Sequence, residues 1–322
     1  MKPLIITHKN CVDGCCSQAI LRSKYGNDAE YLELDHVNLD PTKDKDAPKY
    51  LEQIFAQKNS EVVISDFCLN TEMIDRLLEQ NNKVVILDHH ASNIRYVEPF
   101  EKRMANGEKL NLHINFAKQN DRSGSMLTWE YVYPNVEPPL AVEYVSDGDI
   151  WKFKFGNTTK HFYTGLLEPH GDPENVPTEL WDKLIIDNNE TNKLVGIGEP
   201  LHAQYMSEVM YYTTKATPIS LNGKPGLMVE APKKYTSDLG NQLALLGGGF
   251  GLVYFVDEET QVVRCSLRSV DPFTVNDLAM KWGGGGHPQA SAFRCKNMEE
   301  FRNLLSEEGN TVNLISSKKI KP

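Results

Sequence analysis

The sequence lacks any long apolar run. None of its segments approaches the roughly 18 consecutive apolar residues that a membrane span needs. The opening stretch, MKPLIITHKN, is also too short in apolar residues to form a secretory signal peptide. The sequence therefore predicts a cytoplasmic protein with no membrane partner.

The sequence has fewer basic than acidic residues. The 322 residues include 34 Lys and Arg against 44 Asp and Glu, which gives a net charge of −10. Sequence-independent binding to long duplex DNA relies on a basic surface, so we expect no partner of that kind. A small anionic substrate remains compatible with this charge, because metal ions and a few arginines can invert the field locally.

Cysteine is scarce and does not form metal-binding pairs. The chain has six cysteines and no CxxC motif, which argues against a zinc ribbon. With 40% hydrophobic residues the chain can bury a large core without disulfides. Three cysteines lie together in NCVDGCC, whereas Cys265 and Cys295 are predicted to be small buried residues.

Short apolar runs alternate with amphipathic helices over the first 130 residues. This alternation is typical of parallel strands covered on both faces. Strands return after about residue 216, with Asn222 and Gly223 as a hairpin turn. We predict an α/β fold, in which a doubly wound, mainly parallel sheet domain is joined by helices to a smaller α+β domain. The predicted segments are 1–190, a connecting helix over 191–215, and 216–322.

Two local features carry further expectations. Asn70 is a plausible N-cap for a helix that begins at Thr71. The stretch PLAVEYVSDGDIWKFKF is predicted to carry a helix into a loop and a short strand.

Three apolar runs each end on an acid or an imidazole. They are LIITH, VVISD and VVILDHH, and they deliver His8, Asp66, Asp88, His89 and His90. Ligands of open α/β sheets bind at the carboxyl ends of the strands, so these side chains are expected to converge. With Asp13 and Asp147 they form a set that suits a hard or borderline divalent ion such as Mn²⁺ or Mg²⁺. A bridging carboxylate in such a set can hold two metals about 3.5–4 Å apart, as in phosphoryl hydrolysis.

A glycine run marks the second domain. Residues 283–286 are all glycine, and such a run lets backbone N–H groups approach an anion closely. A tight turn is the alternative interpretation. The presence of Arg268, Ser269 and the following His287 in the same small domain favours substrate binding.

Together these motifs resemble those of the DHH phosphoesterase superfamily, which includes RecJ exonucleases, nanoRNases and family II inorganic pyrophosphatases. The matching stretches are HKNCVDG, ISDF, LDHHAS, YVSDGDIWKF and GGGGHPQASAF, in the expected order over residues 8 to 293. The first and fourth have the form of the nanoRNase B-like branch. The last resembles the signature of the DHH-associated C-terminal domain.

The resemblance implies a role for each matching residue. The metal ligands would be His8, Asp13, Asp66, His89 and Asp147, with Asp66 bridging two Mn²⁺ ions; Mg²⁺ and Co²⁺ are alternatives. The catalytic residues would be Asp88, which supports the site, and His90, which faces the phosphate or the attacking water. The substrate-binding residues would be Arg268, Ser269, Gly284, Gly285, Gly286 and His287. Asp149 is a rival to Asp147, because spacing does not choose between the two.

The first motif departs from the family pattern. Relatives carry a second Asp at one of two places that are Cys11 and Cys15 here. A thiolate is a softer ligand than a carboxylate. Either the second metal has one ligand fewer, or a cysteine supplies it, or only one metal binds tightly.

The resemblance implies an enzyme: an Mn²⁺-dependent phosphodiesterase, or exoribonuclease, that hydrolyses short oligonucleotides to mononucleotides. Alternative substrates are cyclic or linear dinucleotides, 3′-phosphoadenosine 5′-phosphate and polyphosphate. An alternative of another class is a non-catalytic nucleic-acid-binding protein. A homodimer is a further open alternative.

Overall fold

The computed structural model describes residues 2–309. The chain divides into two compact units, Met1–His202 and Ala203–Pro322. The boundary lies within a long helix, α9 (Asn188–Thr213), which accounts for most of the predicted connecting helix. The division into 1–190, 191–215 and 216–322 remains a proposal. Over residues 2–309, no helix combines the length and the apolar character that crossing a membrane requires.

The first unit is built on a five-stranded parallel sheet in the order β2-β1-β3-β4-β5. This strand order is that of a doubly wound sheet, so the predicted α/β fold class is confirmed. The strands are β1 (Leu4–His8), β2 (Glu30–Leu34), β3 (Glu61–Ser65), β4 (Lys83–Asp88) and β5 (Leu112–Phe116).

Helices cover both faces of this sheet, which is why its central strands read as continuous apolar runs. On one face Ile6, Ile64 and Ile86 pack with Leu77 and Phe100. On the other face Ile5, Val63 and Val85 pack with Leu127. The helices are α1 (Val12–Tyr25), α2 (Ala47–Phe55), α3 (Thr71–Glu79), α4 (Ile94–Ala105), α5 (Gly124–Val132), α6 (Leu140–Asp149), α7 (Asn157–Leu167) and α8 (Thr178–Leu184).

The predicted N-cap is confirmed, whereas the short strand predicted at the end of PLAVEYVSDGDIWKFKF is wrong. The Asn70 side chain accepts a hydrogen bond from the Met73 N–H at 2.9 Å. Residues 151–155 instead form a turn that follows α6, in which Trp151 and Phe153 both have positive φ, 58° and 48°. Their neighbours fold back on Asp147, whose carbonyl accepts a hydrogen bond from the Lys152 N–H at 3.0 Å.

The second unit contains a six-stranded mixed sheet in the order β10-β11-β9-β8-β7-β6, in which only β7 and β8 run parallel. The strands are β6 (Thr217–Leu221), β7 (Lys224–Glu230), β8 (Phe250–Val256), β9 (Val263–Ser269), β10 (Gly285–His287) and β11 (Ala290–Cys295). The hairpin turn is confirmed, since Asn222 and Gly223 have φ of 50° and 73° between β6 and β7.

The end of α9 and one further helix pack on one face of this sheet, and two helices pack on the other. α10 (Thr236–Gly247) contributes Leu239 and Leu243, which pack with Val253. α11 (Asn276–Lys281) and α12 (Met298–Glu307) pack on the opposite face, where Cys265 and Cys295 are buried as predicted.

Candidate metal centre

A cluster of acids and imidazoles lies at the carboxyl edge of the parallel sheet. β1, β3 and β4 end on or next to its members His8, Asp66, Asp88, His89 and His90. Asp13 joins them from the first turn of α1, and Asp149 from the last turn of α6. Two triplets could each hold a metal ion: His8 with Asp66 and His90, and Asp13 with His89 and Asp149. Within each triplet the ligand atoms lie within 4.8 Å of one another.

Asp66 links the two triplets. Its Oδ2 lies 3.5 Å from His8 Nδ1, and its Oδ1 lies 3.4 Å from His89 Nε2. The residue sits just beyond β3 with a φ of 54°, a left-handed conformation that Asp tolerates better than most residues. One carboxylate therefore faces an imidazole of each triplet, which is the arrangement a bridging ligand requires.

Five buried polar atoms of the cluster have no hydrogen-bond partner among the described residues. They are His8 Nδ1, both carboxylate oxygens of Asp66, His89 Nε2 and Asp149 Oδ2. Buried polar atoms in folded proteins are almost always hydrogen-bonded, so a group of buried atoms without partners indicates a binding site for an ion or a water molecule. All five are nitrogen or oxygen atoms of the kind that Mn²⁺, Mg²⁺ and Zn²⁺ accept. The residues present therefore fit one or two divalent cations.

The surrounding residues hold the imidazoles in place. Asp88 Oδ1 lies 2.7 Å from His90 Nδ1 and accepts hydrogen bonds from the N–H groups of His89 and His90. The other Asp88 oxygen accepts from Asn93 Nδ2 at 2.8 Å. His89 Nδ1 lies 3.0 Å from Asn120 Oδ1. Such contacts fix the tautomer and orientation of a metal-binding histidine.

Asp13 is anchored by the start of α5. Ser123 Oγ donates to its Oδ1 at 2.6 Å, and the Ser125 N–H lies 3.1 Å from both of its oxygens. Gly124 between them leaves no room for a side chain, because a Cβ there would lie 2.5 Å from Asp66 Cβ and 2.9 Å from Asp13 Oδ2. The start of α5 is therefore in close contact with both Asp13 and Asp66.

The two acids of the fourth motif lie in different surroundings. Asp147, the expected ligand, accepts hydrogen bonds from Lys154 N–H at 2.7 Å and from Thr159 Oγ at 2.5 Å. Asp149 instead lies 3.2 Å from His89 Nε2 and belongs to the second triplet. Residues two apart on a helix point about 200° apart, so only one of the pair faces the cluster.

The two cysteines of the first motif lie in different environments. The Cys15 thiol donates to the Pro173 carbonyl at 3.7 Å and packs with the apolar core beside α1. Burial, and then the charge of Glu33, raise its pKa to about 12. Cys11 is the residue before α1, and burial followed by the charges of Asp66 and Asp149 raise its thiol pKa. Of the two, Cys11 is the one beside the acids.

The cluster shifts the protonation of its own members. Burial would raise the pKa of Asp66, but His8 and His89 outweigh it and hold that pKa far below its usual range. Burial would lower the pKa of His89, but Asp66 and Asp149 raise it to about 10. Burial and the charge of Asp66 raise the pKa of Asp149 to about 6. Without metal, a protonated His89 therefore balances part of the negative charge of the carboxylates.

Sequence reasoning missed several residues around the site. His36 follows β2, and its ring centroid lies 4.7 Å from that of Phe67, the residue after Asp66. The sequence did contain an indication, because Asp35 and His36 follow the edge strand β2 as Asp88 and His89 end β4. Asn93, Asn120 and the run Ser123 to Ser125 carry no such signal, since each acts through a contact with a distant segment.

The second unit places its predicted substrate residues on different faces of the sheet. Arg268 pairs with Ala290, which in turn pairs with His287, so these three lie on one face. Arg268 donates to Ser266 Oγ and to Ser237 Oγ at 3.0 and 2.9 Å. Ser269 points to the other face, is buried, and donates to the Phe273 carbonyl.

The glycine run does not form an anion-binding loop of free N–H groups. The Gly283 and Gly284 N–H groups donate to the Met280 and Ala279 carbonyls at the end of α11. Gly285 and Gly286 belong to β10. Gly284 lies against β11, since a Cβ there would be 2.0 Å from the Ala292 carbonyl oxygen. The glycines act through the space that their missing side chains leave.

Comparison with known proteins gives two curated relatives. The chain is 26% identical over 302 residues to an uncharacterised protein, R106, of Acanthamoeba polyphaga mimivirus, covering 89% of this chain and 66% of that protein, just under two thirds. It is 24% identical over 278 residues to the bifunctional oligoribonuclease and PAP phosphatase NrnA of Bacillus subtilis, covering 79% of this chain and 82% of that protein.

Two solved structures share the fold. The DHH domain of a protein assigned to a family of ribosomal proteins superposes with a TM-score of 0.56 at 18% identity, over 95% of this chain and 86% of that one. RecJ of Thermus thermophilus in complex with Mn²⁺ superposes with a TM-score of 0.50 at 14% identity, over 96% of this chain and 52% of that one.

A protein-family model also matches part of the chain. Residues 241–311 match the DHHA1 domain, which agrees with the resemblance of GGGGHPQASAF to a DHH-associated domain. The curated relatives, the structural neighbours and this match together cover both units. Residues 241–311 thus match a DHHA1 domain, and the chain as a whole shares its fold with a DHH-domain structure.

Proposed function

We propose that this protein is a metal-dependent phosphodiesterase that hydrolyses short oligonucleotides to mononucleotides. The observation that supports the proposal is the set of five buried atoms around Asp66 that lack a hydrogen-bond partner among the described residues. Their ligand types favour Mn²⁺, with Mg²⁺ or Co²⁺ as alternatives. When bound, such cations act as Lewis acids and lower the pKa of a bound water molecule.

The proposed division of labour follows the contacts. Asp66 bridges, and His8, Asp13, His89 and Asp149 complete the ligand set. Asp88 holds His90 by the contact between its Oδ1 and His90 Nδ1. Burial would lower the pKa of His90, but Asp88 raises it to about 9. A protonated His90 suits a position that faces the negative phosphate, although its place in the first triplet also makes it a possible ligand.

The nucleotide part of the proposal has separate support. The B. subtilis relative is named for oligoribonuclease activity, and the DHHA1 domain here presents Arg268 and His287 on one face. We propose Arg268, His287 and the space left by Gly284, Gly285 and Gly286 as the substrate-binding elements. A second candidate function is hydrolysis of 3′-phosphoadenosine 5′-phosphate, which the name of the same relative also specifies.

One panel tests the proposal. The protein with Mn²⁺ is incubated with RNAs of two to five nucleotides, a cyclic dinucleotide and 3′-phosphoadenosine 5′-phosphate, and products are separated by chromatography. We expect mononucleotides from the short RNAs. Asp66→Asn and His89→Ala should each lower the rate at least about a thousandfold, because they remove metal ligands. Binding of RNA with no product from any substrate would favour a non-catalytic protein. Turnover near the wild-type rate in Asp66→Asn would refute the metal site.

A further inference from the structure

The second unit contains a basic pocket of which only Gly284 belongs to the substrate-binding elements proposed above. Its volume is about 420 Å³, and Lys233, Arg264 and Arg294 are among the residues that line it, with Gly283 and Gly284 at one side. Among the described residues, none of those lining it is acidic. We refer to Lys233, Arg264 and Arg294 as the basic triad.

Two of the three cations are direct cross-strand neighbours. Arg264 on β9 pairs with Arg294 on β11, and both are exposed between buried neighbours on their strands. Their side chains therefore lie on the same face of the sheet. Like charges directly opposite one another destabilise a strand pair. An arrangement that brings two guanidinium groups together is stabilised when an anion binds between them.

The protein itself supplies little negative charge to this pair. Arg264 Nε lies 3.6 Å from Asp257 Oδ2, and that Arg side chain is half exposed. The Arg294 and Lys233 side chains have no ion pair within residues 2–309. Exposed pairs contribute little stability, so the charge of the basic triad is available to a ligand.

The basic triad continues the face that carries Arg268. Arg268 lies four residues beyond Arg264 on β9, roughly 13 Å along the strand. Between the two arginines lie the small side chains of the cross-strand pair Ser266 and Ala292, both of which line the pocket. The Arg268 guanidinium is turned back toward Ser266. α10 contacts the Arg268 end of this face, where Arg268 also donates to Ser237 Oγ, and the pocket occupies the Arg264 end.

An aromatic ring borders the pocket beside Arg264. Phe255 on β8 pairs directly with Arg264 and lines the pocket. Basic side chains that follow a backbone, with an aromatic ring beside them, are the usual components of a single-stranded nucleic acid site. A single phosphate group does not span roughly 13 Å, the reach of four strand residues, whereas a chain of phosphodiesters does.

We propose that the basic triad binds a phosphate of a short single-stranded oligonucleotide beyond the nucleotide that Arg268 contacts. The inference rests on the proposed function and narrows it: substrates of three or more nucleotides gain this contact, while a dinucleotide and 3′-phosphoadenosine 5′-phosphate do not. Arg264 and Arg294 supply the charge, and Phe255 supplies a stacking surface.

Binding without turnover tests the proposal. The full chain in EDTA is titrated into a fluorescein-labelled RNA pentamer and a labelled dinucleotide, and the dissociation constant is read from anisotropy. In Arg264→Gln/Arg294→Gln we expect the pentamer to bind at least tenfold more weakly and the dinucleotide to change by less than twofold. The slope of log affinity against log salt for the pentamer should fall by roughly 0.7 for each phosphate that the variant no longer neutralises.

The control is Arg302→Gln, which removes an exposed arginine from α12 on the opposite face of the sheet. It should leave both ligands unaffected. Equal weakening of pentamer and dinucleotide, no weakening, or the same weakening in Arg302→Gln would overturn the proposal. Hydrolysis keeps the two proposals apart. If the wild type and the double variant cleave the pentamer with the same KM, the triad proposal fails while the proposed function stands. If the wild type cleaves no oligonucleotide yet the double variant binds the pentamer more weakly as expected, the proposed function fails while the triad proposal stands.

Discussion

Asp88 Oδ1 lies 2.7 Å from His90 Nδ1, and Asp88 is fully buried. The acid thus acts through the histidine. In Asp88→Asn we expect about a 10- to 100-fold loss of activity or metal affinity, the range for such supporting contacts. The pKa of His90, raised to about 9 by Asp88 against the effect of burial, should fall towards its ordinary value. NMR titration of the imidazole in metal-free protein measures this; an unchanged pKa would contradict the assignment. Asp75→Asn, which disrupts only a surface pair with Arg103, is the control.

Replacing Asp149 should mainly affect metal binding, whereas replacing Asp147 should mainly affect stability. Asp149→Asn should weaken metal binding at least tenfold and leave the melting temperature of the metal-free protein unchanged or higher, because it removes a buried charge that repels Asp66. Asp147→Asn should cost about 1–3 kcal/mol of stability through its buried hydrogen bonds while metal affinity stays close to wild type. Calorimetric metal titration and thermal unfolding of both variants check this. A reversed pattern would return the ligand role to Asp147.

Gly124 should not tolerate a methyl group. In Gly124→Ala the new Cβ would lie within 3 Å of both Asp66 and Asp13, so the start of α5 must shift. We expect a destabilisation of about 1–3 kcal/mol, typical of overpacking, together with weaker metal binding. Gly196→Ala in α9 is the matched control, because nothing lies within 4 Å of its Cβ. That change should stabilise the protein by about 0.5–1 kcal/mol. Similar behaviour of the two variants in thermal unfolding would contradict the predicted contact.

The stability of the metal-free protein and the stabilisation by bound metal should change with pH in opposite directions. The pKa of His89 is about 10 and that of His90 about 9, both above the ordinary value for histidine. Their contribution to stability is therefore fully present below about pH 6.5 and is lost as the pH rises through 9 to 10. The melting temperature in EDTA should fall between about pH 6.5 and 8.5. Metal binding displaces these protons, so the increase in melting temperature caused by Mg²⁺ should grow over the same interval. An increase that shrinks with pH would argue against protons and metal sharing these groups.

The sequence predicts the centre of the first unit well and its periphery poorly. β1, β3 and β4 are apolar runs because they are buried on both faces, and the residues that end them converge as parallel strands require. β5 has the sequence LHINF and is only half buried, so no continuous run marks it. α4 carries Pro99 inside its span, which hides the helical pattern.

The same limit applies to the details of the two sites. Asp147 and Asp149 are chemically equivalent in sequence, and only the rotation of α6 against its neighbours decides which one meets His89. The motif predicts Ser269 beside Arg268, but adjacent residues of a strand point to opposite faces. Arg264 and Arg294 share no motif. Their pairing depends on the register between β9 and β11, which is set by contacts far apart in the chain.

The placement of the metal ligands has a kinetic consequence. His8 and Asp149 come from distant parts of the first unit's sequence, and the start of α5 must dock on Asp13 before the set is complete. Contacts between distant segments form slowly and late in folding. A cation held by them stabilises the native state more than the folding transition state. Bound metal should therefore slow unfolding and leave the refolding rate nearly unchanged.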